Sequence, residues 1–502
     1  MTTPLYIAVD LGAGSGRIFL VGFDQDEFLL KEVHRFHYPP YYDGQYLRWN
    51  FALIFDEVKA GLRSAANEAT ALGRPVNSIG VDSWAVDYGL VDAEGKLMAD
   101  PICYRDDRTG EAMKRVFALI PRDEIFESTG IQFQKFNTLY QLFSEAENSE
   151  NASMLLLLPD LINFMLTGRA VAEYTNATTT QMVNAATGNW DVGLLRRLDL
   201  PRRLLPDIVA AGEPLGPILP EIAEETGLRN VEVIATATHD TASAVAATPL
   251  TEGSAYISSG TWSLIGVERD SPLITRDIAQ LNFTNEGGVY GTFRLLKNVM
   301  GLWIFESCRK EWESAGDPVE YESLIADASG ISGCRAFIYP DDERFFDPPS
   351  MLEAIKTQLS ETGQEVVGEP AKITRIIFDS LAFRYASVIR SIASLTRTTL
   401  TRIEIVGGGG RNRYLNQMTA NTTGLPVRSG MAEATVVGNA LVQAIASGRF
   451  ASLSDAREYV ASKVAFETFT PKAVAGLADA KARYAVIEER FTNVVASAGE
   501  AV

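Results

Sequence analysis

The first residues able to do chemistry are Asp10-Leu-Gly-Ala-Gly-Ser-Gly16-Arg17. Gly12, Gly14 and Gly16 let backbone N–H groups turn towards a phosphate, Ser15 adds a hydroxyl, and Arg17 adds positive charge. Asp10, at the end of a short apolar run, is placed to hold Mg²⁺ directly or through water. An ordinary glycine hairpin turn reads the same way, and the string lacks the Lys-Ser/Thr ending of a Walker A loop. Ser258-Ser-Gly-Thr261-Trp-Ser263 offers hydroxyls and N–H groups for a second phosphate grip, or a plain Ser/Thr-rich hairpin. Ile405-Val-Gly407-Gly-Gly-Gly410-Arg-Asn412 lets a flat ring or a ribose approach the backbone closely, with Asn412 placed to cap the following helix. In Thr238-His239-Asp240-Thr241-Ala-Ser243 an apolar strand stops and a helix of small residues begins. Asp240 there is either a helix cap or a general base that takes the proton from a sugar hydroxyl.

Weaker clusters surround these. Asp82-Ser-Trp84-Ala-Val-Asp87 sets carboxylates beside an aromatic platform. Tyr104-Arg-Asp-Asp-Arg108 reads as a solvated turn, and Leu296-Lys297-Asn298 as the polar start of a helix. Three histidines in all leave little for a multi-His metal centre, and His34 and His37 read as structural residues on a strand.

Elements that must position these groups follow from hydrophobic periodicity. Residues 6–10 and 17–23 are apolar runs flanking the first glycine turn, and 255–260 with 261–267 repeat the pattern half a chain later, so two lobes of similar plan are expected. Helices are expected over 51–72 and 373–395, and strands over 78–82 and 401–406. The lobes are expected to meet near Pro249–Gly253, giving domains 1–248 and 249–502.

Composition narrows the function classes. The 502 residues carry 46% hydrophobic and 22% charged side chains, the mix of a soluble globular chain of more than one domain. With 45 basic against 64 acidic residues the net charge is −19, which repels nucleic acid and anionic lipid, so any anionic ligand needs a local site. Cys103, Cys308 and Cys334 lack metal or redox spacing and are expected as buried free thiols. The opening MTTPLYIAVDLG has no basic or apolar targeting pattern, and a cytoplasmic location is expected.

Taken together, IAVDLGAGSGR, VDSWAVDYGLVD, THDTASAV, SSGTWSL, LLKNVMGLW and IVGGGGRNRYLNQ resemble the FGGY carbohydrate kinases, and within them the branch acting on L-rhamnulose. The resemblance runs from Ile7 to about Asn439. It implies an α/β fold of two ribonuclease H-like lobes of the actin-like ATPase superfamily, with a nucleotide and sugar cleft between them. It implies ATP-dependent phosphorylation of L-rhamnulose at O1, with Mg²⁺ as cofactor, in a monomer or small homo-oligomer without nucleic-acid or membrane partners. By the same resemblance Asp240 is the catalytic base, and Ala85, His239, Asp240, Thr241 and Asn298 contact the sugar. Ala13, Gly14, Ser15, Gly16, Arg17, Thr261, Glu306 and Gly408 contact the nucleotide, and Asp10 lies near the magnesium ion. Relatives often carry glycine where Ala85 stands and glutamine where Glu306 stands. A kinase for L-fuculose or L-xylulose, or a sugar-independent ATPase of the same fold, are the competing expectations.

Overall fold

The computed structural model describes residues 3–26, 28–145, 149–316, 320–331 and 333–500, the last eight by backbone alone. The chain divides into two compact units, one of residues 1–249, 268–295 and 433–464, the other of 250–267, 296–432 and 465–502.

The first unit is built on a sheet of β1 (Leu5–Gly12), β2 (Ser15–Phe23), β3 (Phe28–His37), β4 (Val76–Ser83), β5 (Pro214–Pro217) and β6 (Glu232–Ile234), in the order β3-β2-β1-β4-β6-β5. β1 and β2 form the expected antiparallel hairpin, and β4 and β6 run parallel to β1. β1 is buried along nearly its whole length and reads as a continuous apolar run, as a strand covered on both faces must. One cover is the helix Phe51–Ala71, whose Asn50 side chain accepts from Leu53 N at 3.0 Å and caps it.

The other cover comes from far along the chain. Helix Ala434–Ala446 buries ten of its thirteen residues and crosses helix Asp240–Ala247. The crossing is tight because Gly438 has no side chain: a Cβ there would lie 1.7 Å from the Ser243 carbonyl oxygen. Gln443 on the same helix donates to the Ile7 carbonyl of β1 at 3.0 Å and accepts from Ser78 of β4 at 2.7 Å. Small residues make the seam, since Ala237, Ala242 and Ala246 pack with Val442 and Val289.

A second sheet, of seven strands, holds β7 (Ser254–Ser259), β8 (Trp262–Arg269), β9 (Phe293–Met300), β10 (Arg402–Val406), β11 (Val427–Met431) and β12 (Glu467–Phe469) in the order β9-β8-β7-β10-β11-β12, with Thr284–Gly287 on the far side of β9. β7 and β8 are an antiparallel hairpin, β10 and β11 run parallel to β7, and β12 closes the edge antiparallel. From β8 to β12 the order and strand directions match those from β2 to β5 in the first sheet. The helix Pro370–Thr396 starts on a proline at its first turn and lies along the second unit with seventeen buried residues.

One expectation, on residues 296–298, needs correction. The compact units are not contiguous halves of the chain: 268–295 and 433–464 both belong to the first. The reason is burial: without helix Ala434–Ala446 one apolar face of β1 and β4 would be bare. Residues Leu296-Lys297-Asn298 lie in β9 and the helix begins only at Trp303, beyond Gly301. Strand pairing overrides the helix propensity of Leu and Lys there. A Cβ on Gly301 would come within 2.8 Å of the backbone around Gly260–Ser263, so this turn is fixed by close backbone approach.

Gly438→Ala is expected to destabilise the protein by about 1–3 kcal/mol through overpacking, read as a lower denaturant midpoint with an unchanged m-value.

Candidate active site

In the first unit the parallel register of β1 and β4 sets Asp10 directly beside Asp82. Both strands end there, and Asp240 opens its helix at the same end. Ser83 N donates to the Thr238 carbonyl at 2.9 Å and ties β4 to the segment leading into Asp240. Asp10 and Asp82 are buried, while Asp240 keeps 33% of its side chain exposed and is reachable by a substrate.

Three carboxyl groups in one buried place repel one another. Burial and the charges of Asp10 and Asp240 push Asp82 well above the usual carboxylate range. Burial also raises Asp10, against which Arg17 pulls down. Asp240 is pushed up to about 7, by burial first and by Asp10 second, while hydrogen bonds from Thr241 N at 2.5 Å and Thr241 Oγ1 at 3.1 Å favour its charged form. His239 occupies the cap position and Asp240 the first helical one, so Asp240 is not the helix cap. Its place in the first turn still favours a negative charge.

Arg17 is the cation of this cluster and is engaged at both terminal nitrogens: one donates to Asp10 and the other to Glu433. The turn preceding it is shaped by Gly14, at φ +133°, and by Tyr38, whose hydroxyl donates to the Gly12 carbonyl at 2.6 Å and the Ser15 carbonyl at 3.0 Å. Ala13 is exposed at the tip, and Gly16 is packed so closely that a Cβ would meet Phe36 at 2.4 Å.

Ala85 sits in a three-residue turn in which Asp87 N donates to the Ala85 carbonyl at 3.0 Å. Val86 at its centre has φ +70°, a strained state for a β-branched residue that costs roughly 1–3 kcal/mol. Thr138 Oγ1 and Gln141 Nε2 hold its carbonyl at 2.8 and 3.2 Å. Asp87 accepts from the indoles of Trp49 and Trp84 at 2.7 and 2.9 Å, and burial lifts its pKa to about 6. Tyr104–Arg108 is not the solvated turn expected: Tyr104 is buried, and Arg108 donates to Gln141 at 2.8 Å close to Asp106.

The loop carrying His239 is anchored by buried Glu173, whose Oε2 accepts from Thr238 N, Thr238 Oγ1 and Thr175 N at 3.0, 3.1 and 3.0 Å. His239 N donates in turn to Thr175 Oγ1 at 3.3 Å.

The remaining expected residues lie in the second unit. Thr261, between β7 and β8, accepts from Gly301 N and Trp303 N at 3.1 and 3.2 Å. Gly407, at φ +83°, and Gly409 leave no room for a Cβ against Ser259, at 2.8 Å from its carbonyl oxygen and 2.1 Å from its hydroxyl. This close approach brings the two Gly/Ser turns together and leaves Gly408 exposed, with open space where a side chain would stand. Asn412 accepts from Leu415 N at 3.0 Å, the cap expected from sequence. Glu306 lies in the first turn of helix Trp303–Ser314 and accepts from Arg309 at 3.1 Å. Asn298 is half-buried on β9 next to Lys297, which burial and Arg384 bring down to about 7.

Fit to a magnesium ion can be judged from Asp10 and Asp82. No group of three or more metal-ligating side chains is present among the described residues. Asp82 Oδ1 is buried yet receives no hydrogen bond from the protein, whereas Oδ2 accepts from Asn439 at 2.5 Å. One or two carboxylates completed by phosphate oxygens and water is the usual magnesium arrangement, so the pair fits.

Sequence reasoning missed Asp82 as a partner of Asp10, and also Glu433, Glu173, Glu286 and Arg294. Only the strand register could have pointed to Asp82, and nothing local points to the others.

The FGGY family of carbohydrate kinases matches this chain with its N-terminal domain over residues 5–247 and its C-terminal domain over 255–447. The chain belongs to the FGGY family of carbohydrate kinases. It is 40% identical over 475 residues to the rhamnulokinase of Bacteroides thetaiotaomicron, covering 94% of this chain and 96% of that protein. It is also 40% identical over 468 residues to that of Oceanobacillus iheyensis, covering 92% and 97%. Among solved structures, xylulose kinase from Lactobacillus acidophilus superposes with a TM-score of 0.81 at 17% identity, covering 99% and 100%. Plasmodium falciparum glycerol kinase with ADP gives 0.78 at 14%, covering 97% and 98%. This FGGY kinase thus has the family's N- and C-terminal domains in a mixed α/β fold. No helix among the described residues is long and apolar enough to cross a membrane, and the three cysteines are buried free thiols.

Asp82→Asn is expected to raise the melting temperature while lowering turnover. The carboxyl keeps its proton to higher pH folded than unfolded, so it costs the wild type stability above about pH 4, where the unfolded group ionises. The difference between variant and wild type in a thermal scan should therefore widen as pH rises.

Proposed function

We propose that this kinase transfers the γ-phosphoryl group of ATP to O1 of L-rhamnulose, giving L-rhamnulose 1-phosphate and ADP in L-rhamnose degradation, in the cytoplasm. The observation that carries the chemistry is Asp240: a reachable carboxylate at a helix start, with a pKa of about 7, poised to take up a proton. The identity of the sugar rests on the rhamnulokinases to which the chain is 40% identical over more than nine-tenths of its length.

In this reading the sugar lies against Ala85, His239, Asp240, Thr241 and Asn298. Asp240 accepts the O1 proton as the oxygen attacks phosphorus, and the two hydrogen bonds from Thr241 hold the carboxylate in place. Ala13 to Arg17 are proposed to meet the phosphates, and Thr261, Glu306 and Gly408 the rest of the nucleotide. Arg17 is held by Asp10 and Glu433, so the backbone N–H groups of the turn, rather than a free guanidinium, are the first donors a phosphate would find. Asp10 and Asp82 would hold Mg²⁺, which neutralises phosphate charge when bound.

ADP release with Mg-ATP and L-rhamnulose, beside L-fuculose and L-xylulose, tests the reading. Stimulation by L-rhamnulose above the other two is the expected result, and ADP release independent of sugar overturns it. Asp240→Asn should lower kcat by about 10²–10⁴-fold, with the KM for ATP nearly unchanged. Because Asp240 must be ionised to act, kcat/KM for the sugar should rise about tenfold per pH unit below about 7 and level off above it.

A further inference from the structure

A buried cluster behind His239 is not used by the mechanism above. Arg294 on β9 has 1% of its side chain exposed. Its Nε donates to the Gly287 carbonyl at 3.0 Å, and its Nη2 lies 3.1 Å from His239 Nδ1 and 3.1 Å from Glu286 Oε2. His239 Nε2, on the far side of the ring, is 3.4 Å from Asp240 Oδ1.

We infer that Arg294 is a positioning residue for phosphoryl transfer: by donating to His239 Nδ1 it fixes the imidazole as the neutral Nε2–H tautomer, making His239 a hydrogen-bond donor beside the base. A guanidinium has donors only and does not lose its proton, so the direction of the Arg294–His239 bond is not in question. Nδ1 must present its lone pair, and the ring's single proton sits on Nε2. Glu286 Oε2 is 3.4 Å from Nδ1 and would suit an Nδ1–H, but that proton would point at the Arg294 donor. Glu286 instead pairs with Arg294 and, with the Gly287 carbonyl, holds it against the ring.

Burial and the Arg294 charge both disfavour a second proton on the ring, whose pKa falls well below the ordinary value. The charged groups facing the ring are Arg294, Glu286 and Asp240. Behind Asp240 stand Asp10, Asp82 and Tyr38.

The arrangement selects a ligand chemistry, and this step rests on the sugar-kinase reading given above. An N–H beside a carboxylate matches two neighbouring oxygens, one accepting and one carrying a proton. With O1–H on Asp240, the oxygen on C2 of a ketose is the acceptor for His239 Nε2–H, whether as carbonyl or as ring hydroxyl.

The test is long-range proton–nitrogen NMR on protein labelled at its three histidines, with His239 assigned by the loss of its signals in His239→Gln. The expected spectrum has Nδ1 unprotonated and Nε2 protonated, unchanged between about pH 6 and about pH 8, the range spanning an ordinary imidazole pKa. An Nδ1–H tautomer, or titration in that range, overturns the inference. In Arg294→Met the His239 signals should change tautomer or begin to titrate, with kcat for the sugar down by roughly tenfold or more and the KM for ATP within about twofold. Arg294→Lys should restore the Nε2–H form. Unchanged nitrogen signals in Arg294→Met count against the inference even if kcat falls. Should Arg294→Met not fold, the wild-type spectrum decides. An enzyme inactive on every sugar but showing the expected tautomer sinks the substrate reading and leaves this one standing.

Discussion

Like charges held together against their repulsion are the constraint on which the first unit depends. Asp10 and Asp82 are placed side by side by strand register, and Asp240 joins them at the start of its helix. Burial removes the water that would screen them, so the cluster survives only by sharing protons and borrowing positive charge. Arg17 supplies that charge, and Glu433 in turn holds Arg17. A cluster of this kind lowers stability while tuning a carboxylate to a pKa near neutrality, which is the trade expected where one side chain must both hold and release a proton.

Close backbone approach is the second device, used in both units for the same end. Gly438 brings one helix onto the backbone of the helix that begins at Asp240, and Gly407 and Gly409 bring one turn onto another around Ser259. In each case a missing side chain lets a rigid element fix a neighbour that carries a proposed functional residue. The parallel between the two sheets, which share order and strand direction over five consecutive strands, shows how one plan serves both units. The first unit uses the end of its first and fourth strands for carboxylates, the second the corresponding end for Gly/Ser turns.

What could be read from sequence was local. Hairpins announced themselves because an apolar run, a glycine turn and a second apolar run are contiguous, and Asn412 was legible as a cap because the strand before it and the helix after it are adjacent. Asp240 stood out through its strand-to-helix junction. Asp82 did not stand out as a partner of Asp10, since only parallel pairing across more than seventy residues brings them together. Glu433 and Arg294 are further removed still: one acts on Arg17 and the other on His239 from segments that return to the first unit late in the chain. Arg108 was misjudged for a related reason, as a dense charge run reads as solvated until Gln141 and Asp106 are seen to receive it.

The return of residues 433–464 to the first unit has a consequence for how the chain is made. When residue 249 leaves the ribosome, β1 and β4 still lack the helix that covers them and Arg17 still lacks Glu433. At about 5–20 residues per second the missing segment follows only after roughly ten to forty seconds. For that interval the nascent chain presents an apolar sheet face and an incompletely paired charge cluster, the kind of surface that holding chaperones bind. Completion of the first unit therefore waits until residues 433–464 have been made, and no separately expressed piece ending at residue 249 would contain it whole.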